Sequence, residues 1–171
     1  WLQQELFDNR LAIKLGQIEG DINFNILGSA DFFINGSWGW LGSWSANLPG
    51  SGPTYPYPVP AVQLILQPDP EWTVQAAVFN GSPTGNDPEG NTNGLRFPIG
   101  QGALTFLEFS YVPEAGQEDT LPHAYKLGAW YHSGEFDSYT TRDTGEPRDA
   151  DEDDPPPQAL RGNYALYFSL D

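Results

Sequence analysis

The residues of this chain best suited to chemistry are polar side chains that stand inside otherwise apolar, alternating segments. Lys14, Glu108 and Lys126 each lie mid-segment, where a charged group must face water or an opposite charge. The same alternate positions carry four further polar side chains: Arg10, Gln63, Gln75 and His132. Donors and acceptors of mixed sign can hydrogen-bond a neutral, hydroxylated solute from both sides. They can equally pair with one another and stiffen a wall, and Arg10, beside a turn, also suits a rim position.

Constellations typical of catalysis or of metal binding do not occur in the sequence. His123 and His132 stand on opposite parities, without metal-ligand spacing or a nucleophile. Cysteine is absent, which excludes thiolate chemistry and disulfides. A glycosidase needs two carboxylates separated by about 5–10 Å, and Glu108 is the one acid placed mid-segment. We therefore expect no enzymatic activity, no cofactor and no metal site.

Composition indicates which elements position these side chains. The 171 residues include 16 prolines and 19 glycines, and 14% are aromatic, which favours short strands and long loops. No run approaches the roughly 18 apolar residues of a membrane helix. A net charge of −16 argues against a nucleic-acid partner. The chain opens on Trp1 and stops directly after an alternating run, so we expect a fragment, or a mature protein that lacks its flanks.

In every candidate strand, the alternate residues of one face are all uncharged. Aromatic residues gather near the ends of these strands. The apolar positions include Leu64, Leu107, Leu127 and Leu166, and the terminal aromatics are Trp72, Tyr111, Tyr125, Tyr131 and Tyr164. Lipid would exclude charge from such a face, because Lys or Arg near the middle of a bilayer costs roughly 2–4 kcal/mol. A packed protein core would exclude it as well. Alternation alone leaves open a transmembrane β-barrel and a soluble β-sandwich.

Short and long connections alternate along the chain. Tight turns are predicted at Asp8-Asn9 and at "PDPE", whereas long connections are predicted at residues 25–58, 80–101 and 134–160. Outer-membrane barrels pair short turns on one side with long loops on the other. The last connection is acidic and is interpreted as a solvated loop, with cation binding as the open alternative. About seven antiparallel strands over 1–171, with long loops on one side, are therefore predicted, and this asymmetry favours the barrel while the sandwich stays open.

Several phrases of the sequence resemble the carbohydrate-selective porins of the OprB type. They appear in that family's order and include "LFDNRLAIKLGQIEGDINF", "FFINGSWGW", "YKLGAWYHSGEFD" and "GNYALYFSLD". The resemblance covers nearly the whole chain except the acidic connection. It implies a Gram-negative outer-membrane barrel of about sixteen strands, through which small sugars diffuse passively. On this resemblance we predict an all-β, antiparallel transmembrane β-barrel segment of about seven strands, the middle part of such a barrel. Its partners would be sugars and outer-membrane lipid, and a homo-oligomer is left open.

The aromatic stretch inside 25–58 adds a second set of candidate contacts. Trp38, Trp40 and Trp44 stand among glycine and serine, and the apolar faces of sugars stack on aromatic rings. Packing of the loop is the competing interpretation. Two other functions also remain open at this point: a soluble carbohydrate-binding β-sandwich, and a structural outer-membrane barrel without transport.

Overall fold

A computed structural model describes residues 1–34, 39–84, 91, 93–97, 99–114, 123–141 and 157–171. Its seven strands form one antiparallel sheet in which neighbours in sequence are neighbours in space. The strands are β1 (Leu2–Leu6), β2 (Leu11–Ile18), β3 (Val59–Asp69), β4 (Trp72–Asn80), β5 (Ala103–Tyr111), β6 (Tyr125–Thr141) and β7 (Pro157–Leu170). The sheet is not closed, because β1 and β7 form its two edges. The predicted seven-stranded, antiparallel fold is confirmed.

Among the residues that the structure describes, helical structure is confined to the connection between β2 and β3. A 3₁₀ turn spans Gly28–Phe32, a short α-helix α1 spans Gly42–Asn47, and a second 3₁₀ turn spans Pro49–Ser51. None of the helices in the described ranges is long and apolar enough to cross a membrane.

The connections at the two ends of the sheet differ in length, as predicted. Residues 7–10, 70–71 and 112–124 join strands at one end, which we call the short-turn end. Residues 19–58, 81–102 and 142–156 join strands at the opposite, long-connection end, and the last of these lies outside the described residues. Asp69 stabilises one short turn, since its carboxylate accepts the N–H groups of Glu71 and Trp72 at 2.9 and 3.1 Å.

The bounds of the acidic connection differ from the prediction of 134–160. Strand β6 continues to Thr141 and β7 begins at Pro157, so the two strands take up both ends of that segment. Glu135 pairs with Arg161 across β6 and β7 at 3.4 Å, and both side chains are exposed. The sequence predicts Glu135 in a loop because it is charged. It lies in β6 instead, because the end of a strand that projects into water tolerates a charged side chain.

The two faces of the sheet have opposite environments. The uncharged parity forms an exposed face, which we call the apolar face; Leu127 is 56% exposed and Leu166 78% exposed. The other parity, which we call the covered face, carries the buried residues Lys14, Gln63 and Glu108. Since the described strands form one sheet, no second sheet packs against the apolar face within this part of the chain. The β-sandwich alternative is therefore wrong.

Aromatic residues form a continuous row on the apolar face at the short-turn end. The rings of Trp72 and Tyr111 stack at a centroid distance of 4.5 Å, and those of Tyr111 and Tyr125 at 6.3 Å. The strand register places these three residues side by side on β4, β5 and β6. Such a row is typical of the interface between hydrocarbon and water at the edge of a barrel.

The depth of a residue on the apolar face should determine the cost of placing a charge there. In the full-length protein folded into lipid vesicles, Leu127→Arg is expected to lower the free energy of unfolding by about 2–4 kcal/mol. Tyr125→Arg, on the same strand and face but in the aromatic row, is expected to cost only about 0–1 kcal/mol. Urea titration followed by tryptophan fluorescence measures both values. Equal costs for the two variants would contradict a hydrocarbon-facing surface.

Candidate functional site

Residues 19–58, which we call the folded-in connection, pack aromatic side chains onto the covered face. Phe24 and Trp44 of this connection are buried, and both contact Phe106 of β5, at centroid distances of 4.8 and 5.7 Å. Leu48 joins the same cluster. Further members come from the strands: Ile18, Val59, Ala61, Ala77, Phe79, Leu104, Trp130 and Tyr167. Burial of this apolar area holds the folded-in connection against the sheet.

The folded-in connection runs along the covered face from the long-connection end to the short-turn end and back. On its outward course the connection reaches the middle of β5, where the N–H of Asn25 donates to the buried carboxylate of Glu108. At the short-turn end the N–H of Gly28 donates to the carboxylate of Asp171, just past β7, at 2.6 Å. On the return course the carbonyl of Asn47 accepts from the side chain of Asn163, at 3.2 Å. The connection therefore covers much of the length of the wall.

Glu108 is the point at which the connection and three strands meet. This side chain is 0% exposed. Its Oε2 accepts from the N–H of Asn25 and from the hydroxyl of Tyr167, both at 2.7 Å. Its Oε1 accepts from the amide of Gln75 at 2.8 Å and lies 3.8 Å from Nζ of Lys126. Because a buried carboxylate is costly unless it is paired and hydrogen-bonded, these four partners make its burial tolerable.

Gly128 gives the tyrosine hydroxyl its route to that carboxylate. In the strand register Glu108 lies opposite Gly128, and Gly128 lies opposite Tyr167. A Cβ atom at Gly128 would stand 2.1 Å from Cζ of Tyr167. The tyrosine ring thus crosses β6 directly over the glycine, and any larger residue would displace it.

A chain of amide groups extends the polar contacts from Glu108 towards β2. Gln63 donates to the side chain of Gln75 at 2.9 Å, and Gln75 donates to the carbonyl of Asn23 at 2.7 Å. Asn23 in turn accepts from Nζ of Lys14 at 3.2 Å, and the same ammonium lies 4.3 Å from the ring of Trp1. Within the described residues Lys14 forms no ion pair with a carboxylate. Its positive charge is therefore balanced by an amide oxygen and a ring face.

His132 fixes the start of the connection between β4 and β5. Its Nε2 lies 2.6 Å from the carbonyl of Gly81, and its Nδ1 accepts from the N–H of Gly134 at 3.0 Å. This arrangement places the ring proton on Nε2, since Nδ1 acts as an acceptor. His132 is 0% exposed, so in this arrangement the side chain positions backbone and presents no free nitrogen to a solute.

The tryptophans of the folded-in connection occupy unequal positions. Trp44 is buried, and its ring contacts Tyr167 at 4.9 Å as well as Phe106. Trp40 is half-buried and meets Trp44 edge to face at 5.1 Å. Trp38 lies outside the described residues. Packing of the loop thus accounts for the contacts of Trp44, while Trp40 keeps part of its ring accessible.

Most residues predicted for the site lie on one face, and six of them share the covered face: Lys14, Gln63, Gln75, Glu108, Lys126 and His132. Arg10 is exposed in the turn between β1 and β2, which is the rim position that the sequence left open. Sugar contact by any of these residues remains a prediction. Around Glu108 the predicted residues contact one another, since its carboxylate binds Gln75 and Lys126. This arrangement corresponds to the alternative in which the polar side chains pair and stiffen the wall.

Sequence reasoning missed the residues that bring the folded-in connection to the wall. Asn23 and Asn25 lie in a stretch without regular alternation, so no pattern marks them. Tyr167 carried a signal, because it is a hydroxyl-bearing aromatic on the parity opposite Leu166 and Phe168. A polar aromatic on the charged parity suggests a buried hydrogen bond.

Asp171 anchors the turn of the folded-in connection at the short-turn end. The hydroxyl and N–H of Ser29 and the N–H of Gly28 all donate to its carboxylate. The hydroxyl of Ser29, followed by these backbone N–H groups, holds the pKa of Asp171 below its ordinary value. Hydrogen bonds to a carboxylate favour its ionised form, which gives this contact a defined pH dependence.

The sequence model described as "Carbohydrate-selective porin, OprB family" matches residues 1–171. The chain belongs to this family. It is 30% identical over 151 residues to Porin B of Pseudomonas aeruginosa PAO1, an alignment that covers 86% of this chain and 32% of that protein. The structure is similar to the high-pH structure of Pseudomonas putida OprB, with a TM-score of 0.74, 20% identity, and coverage of 97% of this chain and 37% of that chain.

Family membership confirms two expectations. The open seven-stranded sheet corresponds to part of an OprB barrel, and the chain spans about a third of the length of the relatives it matches. OprB porins are proteins of the Gram-negative outer membrane, which assigns this chain to that membrane.

Removal of the Glu108 carboxylate is expected to detach the folded-in connection. In the full-length porin, Glu108→Ala leaves its buried donors without an acceptor and should lower the free energy of unfolding by about 3–5 kcal/mol. The matched control is Glu135→Ala, which removes an exposed partner of Arg161 and should cost about 0–1 kcal/mol. Denaturant titration gives the energies, and limited proteolysis should cut residues 19–58 in the first variant alone. Equal energies would contradict the anchoring role of Glu108.

Acid is expected to release the contact between Asp171 and the turn at Gly28. Because the folded-state pKa lies below the ordinary value of about 3.9, the contact is fully stabilising above that pH. The stabilisation is lost as the pH falls through the lower, folded-state pKa. Hydrogen-exchange protection of the Gly28 and Ser29 amides in the full-length porin should show this loss. Asp171→Asn should abolish the pH step, and a wild-type profile identical to that of this variant would contradict the assignment.

Proposed function

We propose that this chain forms part of an outer-membrane barrel through which small sugars diffuse down their gradient. The alignment with about a third of its relatives supports a larger barrel in which β1 and β7 pair with further strands. No catalytic step is required, because a diffusion pore needs only a passage and contacts weak enough for release. Whether the complete barrel forms oligomers is left open.

The observation that carries this proposal is the opposite character of the two faces. Exposed leucines and aromatics on the apolar face suit contact with hydrocarbon, whereas the covered face holds the polar groups and the folded-in connection. In a closed barrel with the apolar face towards lipid, the covered face lines the lumen. The folded-in connection then lies inside the barrel and narrows the passage.

The narrowed passage offers a sugar contacts of two kinds. Lys126 keeps 13% of its side chain exposed beside the buried Glu108 and can donate to a passing hydroxyl, whereas Lys14 is buried and is held by Asn23. Ammonium groups can donate to sugar hydroxyls without holding them tightly. Trp40, half-buried at the surface of the aromatic cluster, offers part of a ring for stacking. Trp44 contributes indirectly, because its buried ring packs against the ring of Trp40.

Liposome swelling tests both the passage and the role of the exposed ammonium group. Vesicles that contain the full-length porin should swell in glucose and not in a polysaccharide too large for the pore. Lys126→Gln should slow swelling in glucose about two- to fivefold, as expected for the loss of a charged donor worth about 0.5–1 kcal/mol.

The control for this variant is Arg96→Gln, which removes an exposed cation from the connection between β4 and β5 and not from a strand. It should leave the swelling rate in glucose unchanged. A wild-type porin that neither swells vesicles nor conducts ions would contradict transport and favour the structural barrel, in which the folded-in connection closes the lumen.

A further inference from the structure

A shallow groove lies on the apolar face at the long-connection end of the sheet. Its volume is about 580 Å³. Its lining includes Leu15, Val62 and Val78, which lie side by side on β2, β3 and β4. Phe97, from the connection between β4 and β5, also lines it. The groove is therefore built from strand side chains together with an aromatic residue that the connection brings to them.

The strand register shows how far along the strands, and so how deep in the membrane, the groove lies. The row formed by its strand residues continues across β5 to Tyr131 of β6 and Tyr164 of β7. Exposed tyrosines in this position are typical of the boundary between hydrocarbon and head groups. The apolar part of the groove thus lies at the edge of the hydrocarbon layer.

Amide side chains border the groove on the side away from the membrane centre. Gln17 and Asn80 both line it, two residues beyond Leu15 and Val78 towards the long connections. The amide of Gln17 donates to the carbonyl of Gly94 at 3.1 Å, which holds the connection beside the groove. Apolar lining towards the bilayer and amides towards the water match the polarity of a lipid, with its chain below and its head group above.

We propose that this groove binds an acyl chain of an outer-leaflet lipid, an inference that rests on the proposed orientation of the barrel. The groove is continuous with the apolar face, so hydrocarbon chains have direct access to it. Long loops of outer-membrane barrels are extracellular, which places the groove in the outer leaflet. The chain packs against Phe97, and the head group lies at the level of Gln17.

Native mass spectrometry tests this site on the full-length porin, delipidated in detergent and titrated with hexaacylated lipid A, which carries the acyl chains of the outer leaflet. The wild type is expected to hold one lipid with an affinity above that of the remaining surface. Val78→Trp fills the groove floor and should weaken that first site about tenfold, equivalent to about 1.4 kcal/mol. Val74→Trp, on the same strand and face but outside the groove, should leave it unchanged. Phe97→Ala, a change confined to the connection, should weaken the site without altering the barrel wall.

Four results would overturn the proposal. The first is a wild type without a preferred lipid site, and the second is an equal effect of the two tryptophan variants. The third is an oligomer that Val78→Trp dissociates, because the groove would then be a contact between copies. The fourth is competition by the deacylated glucosamine disaccharide phosphate of lipid A, which lacks acyl chains, because it would show that the head group alone is bound. Glucose swelling of the same preparations separates the two proposals, since intact swelling without lipid binding contradicts the groove alone.

Discussion

The buried carboxylate of Glu108 is the interaction on which the arrangement of the covered face depends. An isolated charge in that position would be strongly unfavourable, so the surrounding donors must be present together. They come from β4, β6, β7 and the folded-in connection. One side chain in the middle of the sheet thus sets the position of the folded-in connection. The aromatic cluster around Phe106 supplies apolar contacts beside it, but the carboxylate supplies the directional ones.

A second constraint acts on the opposite side of the sheet. The apolar face carries no charge, although nothing in the described structure packs against it as a second layer. In water such a surface would drive association, whereas in a bilayer it is the required surface. The same strands must therefore satisfy lipid on one side and a polar, partly filled lumen on the other. Period-two alternation is the simplest sequence pattern that meets both demands.

The folded-in connection is attached to the covered face along most of the length of the strands. Three hydrogen bonds at different positions along the strands hold it. The N–H of Asn25 donates to Glu108 in the middle of the sheet, and the N–H of Gly28 donates to Asp171 at the short-turn end. On the return course the carbonyl of Asn47 accepts from Asn163. Glycines are needed where groups pass closely, as at Gly128, over which the ring of Tyr167 crosses to its acceptor.

Strand number, the uncharged face and the uneven lengths of the connections could be predicted from the sequence, because each depends on local order. Leu127 and Leu166 alternate with small or polar neighbours whatever the rest of the chain does. The parity of Lys14, Glu108 and Lys126 likewise assigned them to one face. The partners of Glu108 could not be predicted, since Asn25 is 83 positions away in sequence. Such contacts depend on the register of several strands and on the path of an irregular segment, and no local periodicity encodes either of them.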